Sequence, residues 1–186
     1  GNFDANGLFY FLGAAAGPPG GEAVAQGARW VNPAMSGRVA ASFSHGIAFS
    51  GTAAMGLSRT ATRLRGKLGS GSTFAVDLGE GAEFVADYYT LRHGGHKDES
   101  PLTNWELQGS KDGQSWDTLR AHTNDKTLHG EYAMSSWPVD ASAGKAYRMF
   151  RVLDKSPGRT QLSVGGFELY GSLRRLGALF HHPARS

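Results

Sequence analysis

The side chains through which this sequence could do chemistry are cationic, and they gather in two stretches. Arg59, Arg63, Arg65 and Lys67 lie close together within a glycine-rich segment, and "RHGGHKDESP" offers His93, His96 and Lys97. Guanidinium groups bond two oxygens of a carboxylate or phosphate at once, so these seven residues suit an anionic ligand such as an acidic or phosphorylated peptide. A solvated basic loop that keeps a domain soluble accounts for the same residues. His93 and His96 could also offer two imidazoles to a metal ion. Asp98, Glu99 or His122 would then have to complete the site, at no recognised spacing. Solvated loop histidines are the simpler reading.

No catalytic residue is expected. Seven histidines are present, yet no G-x-S-x-G elbow, phosphate-binding glycine loop or H-E-x-x-H pair accompanies them. The chain has no cysteine, which removes thiolate nucleophiles, disulfides and Cys-containing zinc sites and points to a reducing, cytoplasmic compartment. "FDANG" spaces Asp4 and Asn6 like the start of a calcium loop, but the twelfth position of an EF-hand falls on Ala15; an Asx-turn accounts for the stretch. No cofactor and no metal are expected. A net charge of +3 without a basic stripe interleaved with aromatics gives no reason to expect a nucleic-acid partner. No run approaches the roughly 20 apolar residues of a membrane span. Because the sequence begins at Gly1 without methionine, we expect a piece of a longer polypeptide.

The elements that would position these groups read as strands. Glycine at 27 residues and 11% aromatics suit strands and turns better than helices. "LFYFL" (8–12) after the Asn6-Gly7 turn reads as a short buried strand, 13–28 as a surface loop, and Val39, Ala41 and Phe43 as one strand face. Residues 44–72 read as long loops with one helical turn. "TFAVDLG", "FVADYYTLRH", "SSWPVD", "YRMFRVL" and "GGFELYG" read as further strands. "NWELQGSKDGQSWDTLRAH" reads as a hairpin in which Gly113 takes positive φ, Trp105 and Trp116 both serve the core, and a bulge falls near Leu119.

In order, "VAASFS", "VDLG", "SKDGQSW" and "ELYG" resemble the discoidin, or coagulation-factor C-type, domain. "FDANGLFYFLG", "WVNP", "YYTLRHG" and "SSWPV" further resemble the discoidin-like domain of plant BTB-domain proteins and a HECT-type ubiquitin ligase. The resemblance implies an all-β, galactose-binding-like jelly-roll of about eight antiparallel strands, and the missing terminal disulfide implies the intracellular branch. It implies one domain over 1–171, with 1–38 as an N-terminal extension packed on it. Residues 172–186 would be a C-terminal tail or linker, helical or unstructured. It places the ligand end at loops 44–56, 57–72 and 93–103. The paired tryptophans of membrane-inserting members are missing there, so membrane insertion is not expected. Some relatives hold a structural calcium where Asp4 and Glu168 fall. The function implied is a non-catalytic protein-binding module of a scaffold, adaptor or ubiquitin ligase. Carbohydrate binding at the same end is the alternative, with only Phe49 and Phe74 near the loops to stack on a sugar.

Overall fold

Inward-facing residues alternate along most strands, and their aromatic rings meet across a gap between two antiparallel sheets. The computed structural model describes residues 3–17, 22–24, 27–47, 52–67, 71–140, 144–156, 158 and 161–176. The longer strands are β1 (Ala40–Phe43), β2 (Thr73–Asp77), β3 (Ala82–Arg92), β4 (Trp105–Ser110), β5 (Asp117–His122), β6 (Met134–Pro138), β7 (Met149–Asp154) and β8 (Gly166–Arg175). They form a five-stranded sheet in the order β1-β2-β7-β4-β5 and a three-stranded sheet in the order β8-β3-β6. Phe74 and Val76 of β2, and Phe150 and Val152 of β7, are buried at every second position, as a half-buried strand requires. Edge-on aromatic pairs join the sheets: Phe74 with Phe167 and Phe84 with Phe150, each at 6.2 Å between ring centres, and Trp105 with Trp137 at 5.5 Å. Such pairs contribute about 0.5–1.5 kcal/mol each beyond their burial. The galactose-binding-like jelly-roll inferred from the sequence is the fold observed.

The β4–β5 hairpin forms as its sequence dictates. Gly113 has φ 77°, the Ser110 hydroxyl accepts its N–H at 2.8 Å, and Asp112 accepts the N–H groups of Gln114 and Ser115. Leu107 pairs with Arg120 and Gln108 with Thr118, which leaves Leu119 as the extra residue of a bulge. Only one of the two tryptophans serves the core, however. Trp105 is fully buried, whereas Trp116 lies on the outer face, half-buried, with the Arg151 guanidinium 4.0 Å from its ring centre.

Two further expectations are corrected. Residues 8–14 form an α-helix, α1 (Leu8–Ala14), rather than a strand, and it buries Leu8, Phe9 and Leu12 against β8. Gly7 at its N-cap offers no side-chain hydrogen bond. The Glu168 carboxylate, from β8, supplies the cap by accepting the N–H of Phe9 at 2.7 Å and of Tyr10 at 3.0 Å. A Cβ at Gly7 would run into that carboxyl group. At the other terminus β8 continues to Arg175, so 172–175 is strand and not tail; 177–186 lie outside the described residues. Among the described residues no helix is long and apolar enough to cross a membrane.

Candidate binding site

The described residues of segments 44–72, 93–104, 123–133 and 155–165 lie at one end of the sandwich, opposite the hairpin turn. Backbone bonds sew them together: Leu64 N–H to Gly94 O, Tyr132 N–H to Gly95 O and His93 N–H to Ala133 O, at 3.0, 3.0 and 2.7 Å. Arg65–Gly66 adds a short antiparallel pairing with Leu162–Ser163. Gly94 and Gly165 are required by the tightness of this seam, because a Cβ on either would collide with backbone oxygens of Leu64 or Thr62.

Glu99 lies among the cations. Its Oε1 pairs with Arg63 Nη2 and, at 3.6 Å, with Arg65 Nη2, while Oε2 accepts the His96 N–H at 2.9 Å. The His96 N–H and then Arg63 hold its carboxyl below the usual glutamate range. Arg65 is the buried member of this group and Arg63 is exposed; Lys67, two residues beyond Arg65, and His96 and Lys97, just before Glu99, are exposed too. His96 Nδ1 also stands 2.9 Å from Glu131, and its ring centre is 5.9 Å from that of Tyr132. Tyr132 is half-buried and has φ 47°, a conformation non-glycine residues rarely adopt. Glu131 and Tyr132 arrive on the 123–133 loop that joins β5 to β6.

Besides Arg65, two of the seven cationic residues are built into the fold. Arg59 pairs with Glu168 at 3.3 Å, donates to the Phe3 carbonyl and stacks over Tyr10 at 4.7 Å. It therefore fastens the N-terminal segment to β8. His93 is fully buried, with Nε2 at 2.8 Å from the His96 carbonyl. Phe74 is buried in the core and so is not placed to stack on a sugar, while Phe49 lies outside the described residues.

The residues at Asp4 and Glu168 do not fit a calcium ion. Glu168 receives N–H groups of Phe9, Tyr10 and Leu169 as well as the Arg59 guanidinium, so cationic and N–H donors already surround its oxygens. Burial pushes its pKa up to about 7, against the pull of those donors. Asp4 accepts the Asn6 N–H at 2.9 Å in an Asx-turn. Among the described residues no group of three or more metal-ligating side chains occurs.

A hydrogen-bonded Asp-His-Tyr relay exists, but in the core. The Asp125 carboxylate, 2.8 Å from His122 Nδ1, fixes the proton there, so Nε2 accepts from the Tyr89 hydroxyl at 2.5 Å; that hydroxyl oxygen accepts the Trp105 indole N–H at 3.2 Å. Trp105 stacks on the imidazole at 3.9 Å and Trp137 packs edge-on at 4.8 Å, leaving a substrate no access. Burial holds the His122 pKa below its usual value, with Asp125 opposing. A depressed pKa means stability that is complete above about 6.5 and lost as pH falls through the folded value. Denaturation at pH 7.5 and 5.5 should show a larger loss for the parent than for His122→Phe; equal losses would remove His122 as the source.

No protein-family model matches the sequence. Over 179 residues it is 35% identical to the E3 ubiquitin-protein ligase Ufd4 of Drosophila melanogaster, covering 91% of this chain and 6% of Ufd4. It is 30% identical over 185 residues to the BTB/POZ domain-containing protein At2g30600 of Arabidopsis thaliana, covering 92% of this chain and 21% of that protein. The chain thus spans a small part of the relatives it matches. The family 32 carbohydrate-binding module of Clostridium perfringens NanJ, solved with galactose, superposes with TM-score 0.56 at 11% identity, covering 72% of this chain and 93% of the module. A fucose-binding module of Streptococcus pneumoniae gives TM-score 0.56 at 14% identity, over 71% and 90%. The fold is that of a discoidin-like, galactose-binding-like domain. The ligase and BTB-protein resemblance seen in the sequence is the one these relatives carry. The solved carbohydrate-binding modules share this fold, and the Asp125-His122-Tyr89 relay of this chain is sealed beneath Trp105 and Trp137.

Proposed function

We propose that this discoidin-like domain is a protein-binding module of a larger intracellular scaffold, adaptor or ubiquitin-ligase chain, and that its loop end takes an acidic or phosphorylated segment of the partner. The observation that carries the reading is the convergence of Arg63 and Arg65 on one carboxylate oxygen, with exposed Lys67, His96 and Lys97 within a few positions of them or of Glu99 in the sequence. Arg59 and Arg65 are built into the fold, so a clean test removes the exposed charges. Arg63→Ala/Lys67→Ala/Lys97→Ala is expected to weaken partner binding roughly tenfold at low salt, mainly through association rate. The melting transition should stay within a degree or two, as for surface changes. Unaltered affinity in that variant, measured against proteins captured by the parent domain, rejects this placement of the site.

One observation favours carbohydrate as a second reading. Tyr132 brings a half-exposed ring to the loop end, beside His96 and Glu131, supplying the aromatic surface with polar neighbours that sugar recognition needs. Galactose or fucose binding that is lost in Tyr132→Ala would select this reading over the first.

A further inference from the structure

We propose that Glu99 is an internal occupant of an anion site formed by Arg63 and Arg65, and that it makes the site selective for a phosphomonoester on a partner peptide. This rests on the reading of the loop end as the partner-binding face. The geometry is that of a bound anion. Two guanidinium groups meet at Oε1, the His96 backbone N–H meets Oε2 at 2.9 Å, and the carboxylate joining them belongs to the chain itself. Arg65 is fixed from below: it is buried, and its backbone pairs with Ser163. Arg63 stands half-exposed, and Lys67 and Lys97, two residues from Arg65 and from Glu99 in the sequence, are exposed.

Competition then decides which ligand enters. A partner's glutamate or aspartate carries the same single charge as Glu99, whereas Glu99 is tethered at the site and so acts at high effective concentration. Exchanging one carboxylate for another gains no charge. A phosphomonoester brings close to two charges and three acceptor oxygens at neutral pH, enough to occupy both guanidinium forks and to draw on Lys67 and Lys97 as well. The displaced Glu99 belongs to a connecting loop whose neighbours Lys97 and Asp98 are already in solvent. Glu99 therefore acts as a specificity-determining residue, a device that discriminates by disfavouring the wrong ligand.

The test is amide chemical-shift titration of the labelled domain with two capped peptides, one carrying a single phosphoserine among alanines and one carrying glutamate in its place. The phosphopeptide is expected to give saturable shifts at residues 63–66 and 95–99 while the glutamate peptide gives none. Glu99→Gln keeps an oxygen to accept the His96 N–H but removes the competing charge. It should tighten the phosphopeptide roughly tenfold and admit the glutamate peptide. Equal response to both peptides in the parent, or unchanged phosphopeptide affinity in a correctly folded Glu99→Gln, overturns the proposal. If neither peptide binds while Arg63→Ala/Lys67→Ala/Lys97→Ala still weakens partner binding, the selectivity falls and the partner-binding reading stands.

Discussion

Trp105→Ala is expected to lower the unfolding free energy by about 3–5 kcal/mol, the range for truncating a large aromatic in a core. Trp116→Ala is expected to cost about 1 kcal/mol or less. Trp105 is fully buried, stacked on His122 at 3.9 Å with the planes 10° apart, edge-on to Trp137, and bonded through its indole N–H to Tyr89. Its removal opens a cavity at the contact between the sheets and strips the relay of the group that holds the Tyr89 hydroxyl in place. Trp116 loses a stack with Arg151, about 0.5–1 kcal/mol at an exposed site, and a bond from its indole N–H to the Gly113 carbonyl at 3.3 Å. Chemical denaturation with an unchanged m-value measures both losses. Two variants within about 0.5 kcal/mol of each other would contradict the distinction.

That distinction marks where the sequence stops being legible. Strands such as β2 and β7 were readable because their apolar residues recur at every second position, and Gly113 because a tight hairpin turn favours glycine at positive φ. A bulge was readable too, but not its consequence. The extra residue at Leu119 shifts the phase of the strand, so Trp116 falls on the outer face beside Arg151 while Leu119 and His122 turn inward. In the site, the cationic residues were legible as types but not as partners. Arg59 and Arg63 look alike four positions apart; one reaches the buried Glu168 and the other the surface Glu99, and only the packing of loops on β8 separates them. Tyr132 was missed because its approach to His96 depends on the Tyr132–Gly95 backbone bond, a link between distant loops with no local pattern.

Glu168→Ala is expected to cost about 3 kcal/mol or more, the range for removing one member of a buried, hydrogen-bonded charge pair. The missed helix explains the size of the effect. α1 has seven residues, too few to be stable alone, and begins at Gly7 without a local side-chain cap. Nothing near it in the sequence announces a helix, because the capping carboxylate lies 159 residues from Phe9. The same carboxylate takes the Arg59 guanidinium, which in turn donates to the Phe3 carbonyl, so one side chain joins the N-terminal segment, α1 and β8. Truncation takes this acceptor from the N–H groups of Phe9, Tyr10 and Leu169 and leaves a guanidinium without its counter-charge, each a loss of about 1–3 kcal/mol before relaxation. Amide exchange should report the cause directly, with Phe9 and Tyr10 losing protection while the amides of β4 and β7 retain most of theirs. Arg59→Ala combined with Glu168→Ala should cost less than the sum of the two single changes, because the second removes a charge that the first has already left unpaired. Protection at Phe9 and Tyr10 equal to that of the parent would mean that α1 is held by its apolar face alone, through Leu8, Phe9 and Leu12.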